Sequence, residues 1–204
     1  MCQAFYFLRH GATADSPPCL KGQSVDAPLS SEGHQMMQVW AEKLTHLPFQ
    51  AVIHSPAQRS QQSAQYFLKA PQKALELSHF HEVSWGEWEG LPRSKADSFL
   101  EKQGETWAKG DWNWHPPGGE SLKAVYDRIE TGFQLLLQLF PTGAILIISH
   151  GYTLSLFLAW LLGYPPGQRQ RFHHPTGTLS WGIRNPEGRF YLQKLALNSD
   201  DWPF

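Results

Sequence analysis

Two short apolar runs each end in a histidine followed by a glycine, and that repetition constrains the chain more than any other feature. Ala4-Phe5-Tyr6-Phe7-Leu8 leads into Arg9-His10-Gly11, and Ala144-Ile145-Leu146-Ile147-Ile148-Ser149 leads into His150-Gly151. Bulky runs of this length, without polar alternation, are the pattern of strands buried on both faces, as in parallel sheets. Ligands of open α/β sheets bind at the C-terminal strand ends. Both histidines are therefore expected at one site.

The remaining elements are consistent with α/β architecture. Ser30 can cap a helix over 31–47, with Met36, Val39, Trp40 and Leu44 at helical spacing. A short strand follows at 51–54, a helix at 59–70 with Ala64, Phe67 and Leu68 inward, and a third strand at 75–77. A long amphipathic helix over 121–140 enters the second His-Gly strand, and another helix covers 153–162. Residues 178–184 and 190–197, joined by Asn185-Pro186-Glu187-Gly188, predict a terminal hairpin. The stretch 79–120 differs in character. It holds five of the nine tryptophans (Trp85, Trp88, Trp107, Trp112, Trp114) and Pro116-Pro117-Gly118-Gly119. It predicts a cap inserted over the strand ends, with most of its tryptophans forming a small core of their own, in a single domain spanning 1–204.

Charge excludes some functions. With 17 basic and 18 acidic residues, nothing draws the whole molecule to nucleic acid or an anionic membrane. Any anion must be held by a local cluster. Cys2 and Cys19 are too few for a disulfide framework, and neither has a neighbouring base to make it a nucleophile. No apolar stretch is long enough to span a bilayer, and no signal peptide is visible. The expectation is a cytoplasmic protein, monomer or homodimer.

Phosphoryl transfer needs an in-line nucleophile, cations around the equatorial oxygens and a proton for the leaving oxygen. His10 is the candidate nucleophile, and nearby arginines should keep its imidazole neutral. Gly11 would let a phosphate approach the backbone beside it. Ser55-Pro56 breaks the second strand and places Arg59 in a first helical turn, near the same edge. Arg9 and Arg59 can each hold phosphate oxygens in a planar fork. His150, beside Gly151, would donate to the phosphate and, as an imidazolium, stabilise transition-state charge. Glu82, placed among tryptophans, could donate a proton to the leaving alkoxide; Glu87 and Glu89 compete for that role. The alternative is bland: buried histidines bonded at strand ends, a solvated Arg59, and surface carboxylates.

Metal binding reads poorly, because no His-Glu-x-x-His, cysteine pair or aspartate cluster is present. His173-His174 before Pro175 reads as a loop pair. Gly118-Gly119-Glu120-Ser121 could bind an anion at a helix start, or form a plain turn.

Taken together these motifs resemble the histidine phosphatase superfamily, which includes the phosphoglycerate mutases. The resemblance covers most of the chain: Arg9-His10-Gly11, then Gly22-x-x-x-Asp26-x-Pro28-Leu29-Ser30-x-x-Gly33, then Ser55-Pro56-x-x-Arg59. It continues with Glu82 and Gly86-x-Trp88-Glu89-Gly90, Gly118-Gly119-Glu120-Ser121, and Ser149-His150-Gly151. It implies a three-layer α/β/α sandwich with a mostly parallel sheet. It implies phosphate transfer to His10, phosphate held by Arg9, Arg59 and His150, Glu82 as proton donor, and no cofactor for hydrolysis. Gly22 and Gly151 fall in the site motifs. Ser16 falls near where the family often has a phosphate-contacting asparagine, and Ala12 replaces a frequent glutamate. Within the superfamily, the segments around Gly22, Trp85 and Trp107 look most like alpha-ribazole phosphatases. The expected activity is hydrolysis of a small phosphorylated metabolite. A mutase and a non-catalytic phosphate-ester binder are the alternatives.

Overall fold

The computed structural model describes residues 2–14, 19–69 and 74–203. Six strands form one sheet: β1 (Gln3–Arg9), β2 (Phe49–His54), β3 (Leu75–Glu76), β4 (Gly143–Ser149), β5 (Leu179–Arg184) and β6 (Phe190–Leu197). Their order is β3-β2-β4-β1-β5-β6. The first four strands in that order are parallel, and the terminal hairpin adds antiparallel to β1. The described residues also form five α-helices: α1 (Ser31–Lys43), α2 (Gln58–Gln65), α3 (Arg93–Ala108), α4 (Leu122–Leu139) and α5 (Gly151–Leu161).

The pleat of β1 generates three layers. Phe5 and Phe7 point to one face, into a core with Val125, Ile129 and Phe133 of α4 and Leu154 and Phe157 of α5. Tyr6 and Leu8 point to the other, against Met37 and Trp40 of α1 and Ala64 of α2. Each fully buried apolar side chain here contributes roughly 1.5–3 kcal/mol, so both faces of β1 are strongly specified. A one-residue slip would exchange the faces. The in-register pairing of Phe5 with Ile145, Phe7 with Ile147 and Arg9 with Ser149 carries the two His-Gly pairs to adjacent positions.

Three local readings are corrected. The helix expected over 59–70 ends at Gln65, because the Phe67 N–H closes a tighter turn on the Ala64 carbonyl and sends Phe67 into the core. In α1 the fully buried methionine is Met37, and Met36 is only partly covered. The stretch 79–120, for which no element is expected from sequence, holds a long helix. It contains α3, whose buried residues Ala96, Leu100, Gln103 and Trp107 follow helical spacing, diluted in sequence by a polar majority. Trp85 and Trp107 join the same core cluster as Phe5 and Phe7, rather than a separate one. Trp88 packs against that cluster and stacks on Phe99, while Trp112 is exposed.

Because Trp107 is shared with the main core, Trp107→Ala should lower the stability of the whole molecule. A loss of about 3–5 kcal/mol in a single urea transition is expected. A separate early transition for the cap, with the main one unmoved, would contradict the shared core.

Candidate active site

His10 follows directly from β1, and its N–H donates to the Ser149 carbonyl (3.1 Å). Its ring is buried, with Nδ1 2.8 Å from the Gly11 carbonyl. A carbonyl can only accept, so Nδ1 carries the proton and Nε2 keeps its lone pair. Burial, then the charges of Arg9 and Arg59, push the imidazole well below its ordinary pKa; the Gly11 bond opposes them less strongly. The ring is held in its nucleophilic form. Packing requires a glycine at position 11: a Cβ there would lie 2.5 Å from the Gly33 carbonyl oxygen at the start of α1.

Two arginines flank this ring. Arg59, in the first turn of α2, is buried and donates to Asp26 (2.5 Å) and to the Gly22 carbonyl (3.1 Å). Asp26 also accepts from the Gln58 N–H (2.5 Å), so one carboxylate caps α2 and orients its arginine. Arg9 donates through Nη1 to the His174 carbonyl (2.7 Å). Its guanidinium crosses the start of α5 at Gly151, where a Cβ would lie 2.9 Å from Nη1. Both Nε groups, of Arg9 and of Arg59, are buried with no protein partner. Two such donors are expensive to leave unmet, and a tetrahedral anion beside His10 would satisfy them.

Arg9, His10, Arg59, Glu82 and Gly151 line one cavity of about 760 Å³. Glu82 is anchored at the start of α5: its Oε1 accepts from the Thr153 N–H (3.1 Å), the Thr153 hydroxyl (3.0 Å) and the Val83 N–H (2.9 Å). Its Oε2 accepts from the Tyr152 N–H (3.3 Å). Hydrogen-bond donors, not the aromatic faces expected from sequence, dominate its surroundings. The segment carrying it is clamped by Arg128, which donates to the His79 and Glu82 carbonyls and forks onto Glu120.

His150 stands behind the cavity wall, fully buried, its ring centroid 5.1 Å from that of His10. Nε2 contacts the Ser55 hydroxyl at 2.6 Å, and Nδ1 has no protein partner. Burial, followed by Arg59, His10, His81 and Arg9, pushes this ring well below its ordinary pKa. The imidazolium expected from sequence is therefore opposed; the neutral ring is the resident form. Gly22 also lies off the cavity wall and acts on Arg59. Ser16 lies outside the described residues.

The competing carboxylates have other work. Glu87 is exposed. Glu89 accepts from the N–H groups of Gln23, Ser24, Val25 and Trp85 and from the Ser24 hydroxyl. Burial works against its charge, but these bonds prevail and hold the carboxyl below its ordinary pKa. Gly118-Gly119 is a turn packed against Gly86 and Ser84, and Ser121 caps α4. Among the described residues no group of three or more His, Cys, Asp or Glu side chains could hold a metal ion. No helix among them is long and apolar enough to cross a membrane. Sequence reasoning missed the part played by Ser55, and by Arg169 and Tyr152, which meet in the outer wall with the guanidinium 3.7 Å from the ring centroid. Ser55 lies within the Ser55-Pro56-x-x-Arg59 motif, where Arg59 drew the attention; Arg169 and Tyr152 fall on no motif quoted above.

The sequence profile described as "Histidine phosphatase superfamily (branch 1)" matches residues 5–197. The chain belongs to this superfamily. This histidine phosphatase is 28% identical over 172 residues to "Probable phosphoglycerate mutase GpmB" of Salmonella choleraesuis, covering 81% of this chain and 78% of that protein. It superposes on the alpha-ribazole phosphatase from Shigella flexneri with a TM-score of 0.81 at 25% identity, over 96% of this chain and 97% of the other. Mycobacterial glucosyl-3-phosphoglycerate phosphatase gives 0.82 at 20% identity, over 96% and 99%. The three-layer α/β fold with its mixed, mostly parallel sheet is that of the family.

The lowered histidines predict a loss of stability in acid. His10, His150 and His174 all titrate below the unfolded value of about 6.5. Below that value the unfolded chain takes up protons that the folded chain refuses, so stability falls as pH drops. Each buried ring contributes up to about 1.4 kcal/mol per pH unit in that window. Urea denaturation at pH 7 and pH 5 should show a loss of several kcal/mol; equal stability at both would contradict the neutral assignments.

Proposed function

We propose that this histidine phosphatase is a metal-independent phosphomonoester hydrolase that works through a phosphohistidine on a small phosphorylated metabolite. The observation that carries the reading is the buried His10 ring, its Nε2 lone pair free, in a cavity with two arginines whose Nε groups lack partners. His10 Nε2 attacks phosphorus and the phosphorus–oxygen ester bond breaks. Glu82 enters this step protonated on Oε2, the oxygen that accepts one bond where Oε1 accepts three, and gives that proton to the leaving alkoxide. Water then attacks the phosphoryl group on His10. The phosphorus–nitrogen bond breaks, Glu82 recovers a proton from the water, and inorganic phosphate leaves. Arg9 and Arg59 hold the equatorial oxygens through both steps, and His150, neutral and bonded to Ser55, backs the His10 ring from behind the cavity wall.

The outer wall shapes the leaving group. It carries Lys21, Arg93 and Arg169 against Asp97, Glu101 and Glu105, with Trp85 and Tyr152 among them. A near-balanced charged wall suits a polar, hydroxyl-bearing leaving group. Alpha-ribazole 5'-phosphate is one candidate, supported by the structural likeness to the Shigella phosphatase. A second reading, phosphoryl return as in a mutase, is supported by the Salmonella relative's name. Isomerisation measured against phosphate release, on one phosphoglycerate, separates the two.

Rapid alkaline quenching with labelled substrate should trap phosphate on His10, and His10→Ala should lose at least about 10³-fold in kcat. Full activity in that variant would refute the mechanism. Chelator should leave turnover unchanged; loss restored by added metal would count against it. The acid limb of kcat/KM should lie below the ordinary histidine value, because the neutral ring is the nucleophile.

A further inference from the structure

His173-His174-Pro175 has no place in the chemistry above, yet the loop it opens carries the mount of Arg9. The Arg9 main-chain N–H donates to the Thr178 carbonyl (3.0 Å), and the Gly177 N–H donates to the His10 carbonyl (3.2 Å). The Arg9 side chain donates through Nη1 to the His174 carbonyl (2.7 Å). The direction of that carbonyl follows from its own ring. The His174 imidazole is fully buried, with Nδ1 2.8 Å from the Phe172 carbonyl and Nε2 2.7 Å from the Ser180 hydroxyl.

These contacts fix a single protonation pattern. The Phe172 carbonyl can only accept, so Nδ1 bears the proton. The Ser180 oxygen already accepts from the Ala196 N–H (2.8 Å) and turns its own proton to Nε2. Ala196 has φ 48°, the one positive value outside glycine among the described residues. It sits where the β5–β6 register shifts between Leu179 and Trp181. That bulge presents its N–H to a side chain instead of the ladder. An irregularity in the edge strand is thus linked, through Ser180 and His174, to the arginine beside the nucleophile.

We propose that His174 is a positioning residue for phosphoryl transfer: its ring, locked between the Phe172 carbonyl and the Ser180 hydroxyl, aims its own carbonyl at Arg9 and so sets the angle at which that guanidinium meets phosphate. The proposal rests on the reading of Arg9 as a phosphate ligand. Two bonded nitrogens are what any buried histidine requires; what ties this one to the site is its carbonyl, which accepts from the Arg9 guanidinium.

The test is a double-mutant cycle read on the Kd of inorganic phosphate, followed by calorimetry, with thermal midpoints in parallel. Ser180→Ala should weaken phosphate binding by about 10-fold in the native background and by less than about 2-fold beside Arg9→Ala. His174→Gln, which keeps an amide within reach of Ser180, should weaken it less than His174→Ala. Equal losses in both backgrounds, or none in the native one, would overturn the proposal and leave the Arg9 reading standing. An Arg9→Ala protein with unchanged phosphate affinity would remove that reading, and the proposal with it. Nitrogen-15 shifts of the wild-type protein provide a check independent of any variant's folding. They should show a neutral His174 protonated on Nδ1, and an Nε2–H tautomer would overturn the proposal.

Discussion

The parallel pairing of β1 with β4 is the interaction on which the rest depends. Their register sets Arg9 opposite Ser149, and the residues that follow, His10 and His150, leave the sheet side by side. No local signal holds them there. The alignment is imposed by the apolar residues upstream, because sliding either strand by one residue would turn its buried side chains to the wrong layer. Packing energy spent deep in the sheet is thereby converted into position at its edge.

At that edge the protein assembles cations it does not fully neutralise. Asp26 pairs with Arg59, and Glu82 offsets part of the burial cost of Arg9, but each guanidinium keeps a buried N–H without a protein acceptor. His10 and His150, packed against them, are kept neutral by burial and by those same charges. The two effects reinforce each other. Guanidiniums that each keep an unmet donor flank rings whose protonation they oppose, and the proposed phosphoryl transfer rests on that arrangement. The supporting carboxylates are used differently: Glu89 ties down the loop after Gly22, and Glu120 with Arg128 fixes the segment that presents Glu82.

Much of this was legible in the chain. The strands announced themselves because they are buried on both faces, and Ser30 caps α1 as its position suggests. Strand ends and a helix start suggested one edge for Arg9, His10 and Arg59, and the tryptophan-rich segment and the family resemblance suggested Glu82; the four line one cavity. What stayed hidden depended on tertiary contact. The polar majority of α3 masked a helix whose buried face is only four residues wide. The packing need at Gly11 was invisible because its neighbour in space, Gly33, is 22 positions along the chain. The neutrality of His150 arises from charges brought in by other segments, and the link from Ala196 to Arg9 crosses a strand bulge that no periodicity reveals.

Orthovanadate, which takes the geometry of phosphorus in mid-transfer, gives the most direct test of the central claim when its complex is solved crystallographically. The account predicts vanadium bonded to His10 Nε2, with its equatorial oxygens on the Arg9 and Arg59 guanidinium groups. Vanadium bound through another side chain, or an oxyanion seated away from both arginines, would contradict it.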